Sequence, residues 1–437
     1  MNLVEQVRLA GVVGAGGGGF PTHVKLAAKA DTVIANGAEC EPLLHKDAAV
    51  MERQAPEMVR GMVLAMAAVG ATTGIVGIKA KNQHAVEVVA AACQGTAVRV
   101  ELLGDYYPAG DEYDLVYTTT GRLIPPGGIP LNVGAVVANV ETLVNIALAA
   151  AGQPVTHKTL TIAGAVREPL TLTVPIGCTL RDCIEAAGGA TVPDPVLAIG
   201  GMMMGQHSDA LDTPVTKTSG GVIVLPRSHH IMERKFKPAA AQNAIGKSAC
   251  DQCRYCTEYC PRFLLGYAVE PHQVMRSLAF TATGAAHWNQ WASLCCSCGL
   301  CTLYACPEEL FPKEACDNSR SEMRQANQKW TGPMAVKVHP MRDGRRVPIK
   351  SLMRKLHLTA YDHPAHWTAK TVEPARAVLP WKQSAGAANT PLVRVGERVR
   401  AGQPLGAVPE KALGAILHAP FAAAVTEITD QHIILTR

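Results

Sequence analysis

Cys250-Asp-Gln-Cys253-Arg-Tyr-Cys256-Thr-Glu-Tyr-Cys260-Pro261 and Cys295-Cys-Ser-Cys298-Gly-Leu-Cys301-Thr-Leu-Tyr-Ala-Cys306-Pro307 decide how this chain is read. Nine of its fourteen cysteines fall in these two runs, and eight of them keep the two spaced patterns, within sixty residues. Each run has two C-x2-C steps and ends in Cys-Pro. Three thiolates within seven residues suit the corners of a 4Fe–4S cube better than one tetrahedral zinc, and paired zinc sites are the competing reading.

The first run has the spacing of bacterial ferredoxins, in which the cysteine before proline crosses to the other cluster. That rule predicts one cube on Cys250, Cys253, Cys256 and Cys306, and a second on Cys295, Cys298, Cys301 and Cys260. The second run departs from it in two ways. One extra residue precedes Cys306, and Cys296 offers a donor beside Cys295. Cys295 is preferred because it preserves the x2-x2 spacing.

A chain of 437 residues exceeds what one core supports, so the clusters form one small domain among larger ones. The net charge of +5 comes without a dense Lys/Arg run, which argues against nucleic acid as a partner. Ligand thiols need a reducing compartment, and Met1-Asn2-Leu3-Val4-Glu5 lacks the basic and apolar regions of a secretory signal, so a cytoplasmic protein is expected. The uncharged stretch from Gly61 to Ile78 contains Gly70, Thr72, Thr73 and Gly74. It reads as helix, turn and buried strand, and no transmembrane segment is expected.

Toward the N-terminus, a helical pattern over 3–11 leads into Gly14-Ala15-Gly16-Gly17-Gly18-Gly19-Phe20-Pro21-Thr22. Glycines let the backbone approach a ligand and turn its N–H groups inward, as phosphate-cradling loops do. A strand, Thr32–Ala35, then enters Asn36-Gly37-Ala38-Glu39-Cys40-Glu41-Pro42, placing two carboxylates beyond a strand's carboxyl end, where open α/β sheets bind ligands. A helix over about 48–69, a strand over 74–80, a helix over 83–93 and a strand over 98–104 complete an alternation that reads as a parallel α/β sheet.

The glycine loop, the Asn36–Pro42 turn, Tyr107-Pro-Ala-Gly110-Asp111-Glu112 and Val137-Ala-Asn139-Val-Glu141-Thr142 resemble, in order, the FMN- and NADH-binding motifs of the complex I flavoprotein subunit and RnfC family. The resemblance implies a Rossmann-like flavin domain. Its cofactor-contacting residues would be Gly16, Gly17, Gly19, Phe20, Lys25, Asn36, Glu39, Glu41, Tyr107, Gly110, Glu112, Asn139 and Thr142, with Glu41 at the catalytic position beside the nicotinamide. An arginine common in the complex I loop is Ala15 here, and the usual Asn-Asn pair is Ala138-Asn139.

The chain as a whole reads as multidomain α/β plus α+β: a flavin domain over 1–155, a β-grasp domain over 156–236, a ferredoxin-like two-cluster domain over 237–330, a linker over 331–371 and a β barrel-sandwich hybrid over 372–437. The β-grasp assignment rests on period-two strands and a short helix over 179–187, and on a resemblance to the soluble-ligand-binding β-grasp (SLBB) module. Its Gly200-Gly-Met-Met-Met-Gly205 run is read as packing surface. Cys40, Cys93, Cys178, Cys183 and Cys316 lack partners at metal spacing and read as buried small hydrophobes. Lys411 reads as a surface residue rather than a modified lysine.

NADH yields a hydride while a 4Fe–4S cluster takes one electron, so this domain content implies a flavin as converter. In RnfC the hybrid precedes the flavin domain. The order here resembles the cobalamin reductases of propanediol-utilising microcompartments. That implies a corrinoid or a corrinoid-handling adenosyltransferase as partner, possible contact with shell proteins, and a place inside a bacterial microcompartment. An RnfC-like component of a larger electron-transport complex and a carrier with a protein acceptor are the alternatives. Anaerobically prepared protein should carry about eight irons per chain. Bound zinc without broad visible absorption would refute the cluster reading.

Overall fold

The structure, a computed structural model, describes residues 1–278 and 289–437. The N-terminal sheet contains β1 (Thr32–Gly37), β2 (Thr73–Lys79) and β3 (Val98–Leu103). A two-residue strand, β4 (Tyr106–Tyr107), lies outside it, and β5 (Ala135–Asn139) returns to it. All its pairings are parallel and its order is β3-β2-β1-β5. Successive crossovers therefore leave β1 in opposite directions, and a crevice opens at the carboxyl ends of β1 and β5. Register places Asn36 opposite Asn139 at that crevice.

The long helix α1 (Lys46–Val69) crosses α2 (Val140–Ala150) over one face of the sheet. Gly61 permits the crossing, since a Cβ there would stand 1.8 Å from the Leu143 carbonyl oxygen. The stretch Gly61–Ile78 folds as helix, a left-handed turn at Gly70 and buried strand, as its glycines and threonines imply. Among the described residues, no helix is long and apolar enough to cross a membrane.

The next domain is a mixed sheet of β6 (His157–Gly164), β7 (Leu170–Pro175), β8 (Pro195–Ile199), β9 (Gln206–Ser208) and β10 (Gly221–Pro226), ordered β7-β6-β10-β8-β9. With the helix Leu180–Ala186 it has the β-grasp arrangement. The cysteine-rich region is built of short helices and loops. At the C-terminus, β12 (Arg376–Pro380), β14 (Arg398–Val399), β16 (Ala423–Ile428) and β17 (His432–Thr436) form a sheet ordered β12-β17-β16-β14. The small ladder of β13 (Thr390–Pro391) and β15 (Gly406–Ala407) lies beside it. Lys411 occupies an exposed turn.

The connector 331–371 is an ordered strap. Its strand β11 (Val347–Pro348) pairs with β4, and the helix Ile349–Lys355 follows. Arg342 reaches into the flavin domain, 2.5 Å from the Asp114 carboxylate and 4.8 Å from the Tyr117 ring centre, while the Tyr106 hydroxyl donates to the same carboxylate. Both members of this ion pair are buried, so removing the cation strands a charge. Arg342→Met should cost about 3 kcal/mol of stability. A urea midpoint unchanged from wild type would show that the strap is held by its other contacts alone.

Candidate functional site

The crevice at the ends of β1 and β5 opens into a cavity of about 400 Å³, and every cofactor-contacting residue expected from the sequence lies on its wall. The glycine loop forms one side. A Cβ built on Gly17 or Gly18 meets nothing within 4 Å, so the loop leaves open space where a side chain would stand. Thr142 anchors the loop by accepting a hydrogen bond from the Ala15 N–H at 2.9 Å. Lys25 donates to the Val137 carbonyl at 2.9 Å and lies 3.5 Å from the Glu112 carboxylate, with its ammonium 6.0 Å from the Phe20 ring centre. The Asn36 amide donates to the Gly110 carbonyl, tying the first strand's end to the Tyr107–Glu112 turn.

The two acidic residues of the turn differ in their partners. Glu39 accepts from the Asp47 N–H at the start of α1, and burial, followed by the nearby Asp47 carboxylate, pushes it up to about 8. Glu41 accepts from the backbone N–H groups of Met203 and Met204, both at 2.9 Å, and burial raises it to about 7. The Gly200–Gly205 run is therefore more than the packing surface that its methionines suggest, because its backbone amides receive a flavin-domain carboxylate. Gly201 is required there: its φ is +127°, and a Cβ would fall 2.4 Å from the Glu41 carboxylate.

Beneath the loop lies a buried charge network that motif reading missed. Lys46 contacts Asp47 at 2.5 Å, Glu141 at 3.1 Å and the Asn139 side-chain oxygen at 3.3 Å. Lys158, from β6, pairs closely with Glu141 and donates to the Ala15 carbonyl at 2.9 Å. The β-grasp domain thus brings a cation to the loop position where the complex I arginine is replaced by alanine. Burial draws Lys158 down to about 8, against the pull of Glu141. Burial opposes the ionised form of Glu141 as well, yet the two lysines hold its carboxyl below the ordinary range.

The thiols fall into two groups. Cys250, Cys253, Cys256 and Cys306 line one small cavity. The extra residue before Cys306 is absorbed in a π-helical turn, Cys301–Ala305, which inserts a residue without displacing its flanks. Burial pushes the Cys260 and Cys301 thiols up, and neighbouring thiols add to it, Cys295 and Cys296 for Cys260 and Cys295, Cys256 and Cys260 for Cys301. The two loops share a backbone signature. Gln252 and Arg254 have φ of 62° and 70°, and Ser297 and Gly299 have φ of 57° and 82°. Each left-handed pair sits two and four residues after Cys250 and Cys295 respectively, so Cys295 is the backbone counterpart of Cys250.

Cys296 instead faces the large cavity, whose wall it shares with Cys298. Cys316, expected to be a buried small hydrophobe, is fully buried in the same apolar cluster as Cys295, because the helix Pro312–Gln325 carries it there. Cys178 and Cys183 pair, with sulfurs 3.8 Å apart in the β-grasp core, and Cys40 lines the large cavity.

The two regions are joined directly. The Tyr107 hydroxyl donates to the Cys298 carbonyl at 2.7 Å. Arg262, two residues after Cys260, lies 2.7 Å from Asp111 and stacks 3.5 Å from the Tyr113 ring centre.

Four family models match successive stretches of the chain. The Nuo51 FMN-binding domain matches residues 7–148, the SLBB domain 159–206, a 4Fe-4S dicluster domain 249–311, and the RnfC barrel sandwich hybrid domain 363–436. Cobalamin reductase PduS of Citrobacter freundii is 42% identical over 434 residues, spanning 99% of this chain and 96% of that protein. The chain belongs to the PduS family. The Salmonella typhimurium PduS is 41% identical over the same spans. A component of the proton-translocating ferredoxin:NAD(+) oxidoreductase complex of Clostridium ljungdahlii is 38% identical, over 59% of this chain and 55% of that one. PduS-family membership and the matched domains give this chain FMN and two 4Fe–4S clusters as cofactors, and the open glycine cradle and the two thiol groups fit them.

Glu141→Gln would leave two buried ammonium groups facing one remaining carboxylate partner, and should cost about 3–5 kcal/mol. Because the folded-state pKa of Glu141 is lowered, its contribution is present above the unfolded carboxyl's pKa and fades as the medium is acidified through the folded value. Urea denaturation of wild type and variant at pH 7 and in acid should therefore show a difference that shrinks at low pH. A difference independent of pH would assign the loss to packing.

Proposed function

We propose that this chain oxidises NADH and delivers single electrons to a corrinoid, as a cobalamin reductase working inside a bacterial microcompartment. The observation that carries this reading is the shared wall: Cys296 and Cys298 line the same cavity as the glycine loop, Glu41 and Asn139.

The residues take these roles. The N–H groups of Gly16, Gly17 and Gly19 cradle the FMN phosphate, and Lys25 supplies a cation beside it. Asn36, Gly110, Tyr107, Asn139 and Thr142 shape the flavin pocket, with Phe20, Glu39 and Glu112 on its rim. Glu41, held at the seam with the β-grasp domain, orients the nicotinamide. A bound flavin supplies the conversion between a hydride pair and single electrons. Cys260, Cys295, Cys298 and Cys301 hold the inner cluster, next to the cavity. Cys250, Cys253, Cys256 and Cys306 hold the outer one. Cys253 is exposed, so the outer site meets solvent and is where an acceptor docks. The acceptor is a corrinoid, free or carried by an adenosyltransferase, and shell proteins are the further partners of a microcompartment enzyme.

Anaerobic stopped-flow mixing of the reconstituted protein with NADH and cob(III)alamin tests the reading. Cobalt reduction should follow flavin and cluster bleaching, and should be lost in Cys306→Ser with flavin bleaching intact. Bleaching of flavin and clusters with unchanged corrinoid would overturn the corrinoid assignment.

A further inference from the structure

We infer that the C-terminal hybrid domain is part of the flavin site, and that Lys217 is the positioning residue that latches it against the glycine loop. The inference rests on the reading of the large cavity as the FMN site.

The need for a latch follows from the loop itself. Four consecutive glycines lose more conformational entropy on ordering than any other residues would, so a loop that must present fixed N–H groups requires restraint from outside. The cavity lies on one side of this loop. Two loops from two other domains grip it.

From the β-grasp domain comes the segment preceding β10, whose Lys217 is 2% exposed. Its ammonium donates at 2.7 Å to the Gly11 carbonyl, just before the glycine loop, and at 2.7 Å to the Ile416 carbonyl of the hybrid domain. Its own N–H donates to the Gln383 side chain at 3.1 Å. One residue therefore bridges three domains. Its amine is held by main-chain carbonyls, and burial draws it down to about 7. A lysine so deeply buried against carbonyls is costly to keep, and a geometric role offsets that cost.

From the hybrid domain comes the loop after Trp381. Its Ala385 N–H donates to the Gly19 carbonyl at 2.9 Å. At Gly19, with φ of +60°, an added Cβ would stand 2.9 Å from the Thr218 methyl and 3.5 Å from the Ser384 Cα, so the two gripping loops meet over this glycine. Thr218 itself reaches the cavity wall. The grip is thus continuous from Ile416 through Lys217 and Thr218 to the loop that cradles the phosphate.

The test uses the full chain with reconstituted clusters, loaded with FMN. Flavin release is followed by the fluorescence gained as FMN leaves, alongside iron content and the rate of FMN rebinding. Lys217→Met keeps the apolar stem and removes both ammonium bonds, and Ala385→Pro removes the N–H that holds Gly19. Each should release FMN about tenfold faster, the effect of losing one to two hydrogen bonds, with iron content and rebinding rate as in wild type. If Lys217→Met does not fold, Ala385→Pro and Gln383→Leu read the same grip from the hybrid side. Release at the wild-type rate, or flavin lost only together with iron, would overturn the inference. Wild-type protein that takes up no FMN would instead overturn the assignment of the cavity.

Discussion

Electron transfer between a flavin cavity and a metal cluster depends on a fixed, short separation, and in this chain a buried hydrogen bond helps to fix it. The Tyr107 hydroxyl, from the flavin domain, donates to the Cys298 carbonyl in the second cysteine loop. Tyr107 is 1% exposed, so this bond is made away from competing water and its geometry is that of a core contact. The Arg262–Asp111 pair repeats the attachment from the other cysteine run. Both anchors on the flavin side come from one turn, Tyr107–Glu112, which also supplies Gly110 to the cavity wall. A single turn therefore shapes the pocket and docks the clusters, so neither can shift without the other.

What the sequence disclosed were patterns written in consecutive residues. The thiol spacings, the glycine run, the Asn36–Pro42 turn and the alternation of helix and strand all lie within short windows, and the structure places these residues around one cavity and in two thiol groups. What stayed hidden depends on packing between distant segments. Lys46 and Asp47 look like ordinary polar residues at a helix start, and Lys158 like an outward position on a strand. Only the closure of the β-grasp domain over α2 buries them with Glu141. Cys316 is similar, since its nearness to Cys295 is set by a helix that begins after the second cysteine run. A signal was available for the Met202–Met204 run: glycines flank it on both sides, and such backbone offers amides as readily as it offers methionines for packing.

The strap and the hybrid domain explain why a chain of several domains encloses one site. Apolar residues of the flavin domain, such as Val7 and Val12, and of the hybrid, such as Leu379, Trp381 and Leu417, belong to one continuous buried cluster. The hybrid is thus fused to the flavin domain by core packing, unlike the polar interfaces that let domains move against each other. The strap does the same for the ferredoxin-like region, since its Val347 and Leu352 share one buried cluster with Tyr107 of the flavin domain and Leu300 and Leu303 of the second cysteine run.

This packing also bears on domain order. The hybrid is the last domain of the chain, yet it lies against Gly11 and Gly19, which are among its first residues. A domain seated there is adjacent to the N-terminus in space, so it can be reached by a short connection from the front of the chain or by a long strap from the back. Placing it at the front would need no strap, and the 331–371 segment would then be free of that task. Placed at the back, the chain must travel from the cysteine-rich region around the flavin and β-grasp domains, and the strap makes further contacts on the way: Arg342 at Asp114, Arg346 over Tyr106, and Trp367 beside Thr171 and Arg53. In this chain the contacts with the glycine loop set the seat of the hybrid, and the strap is the connection that reaches it from the cysteine-rich region.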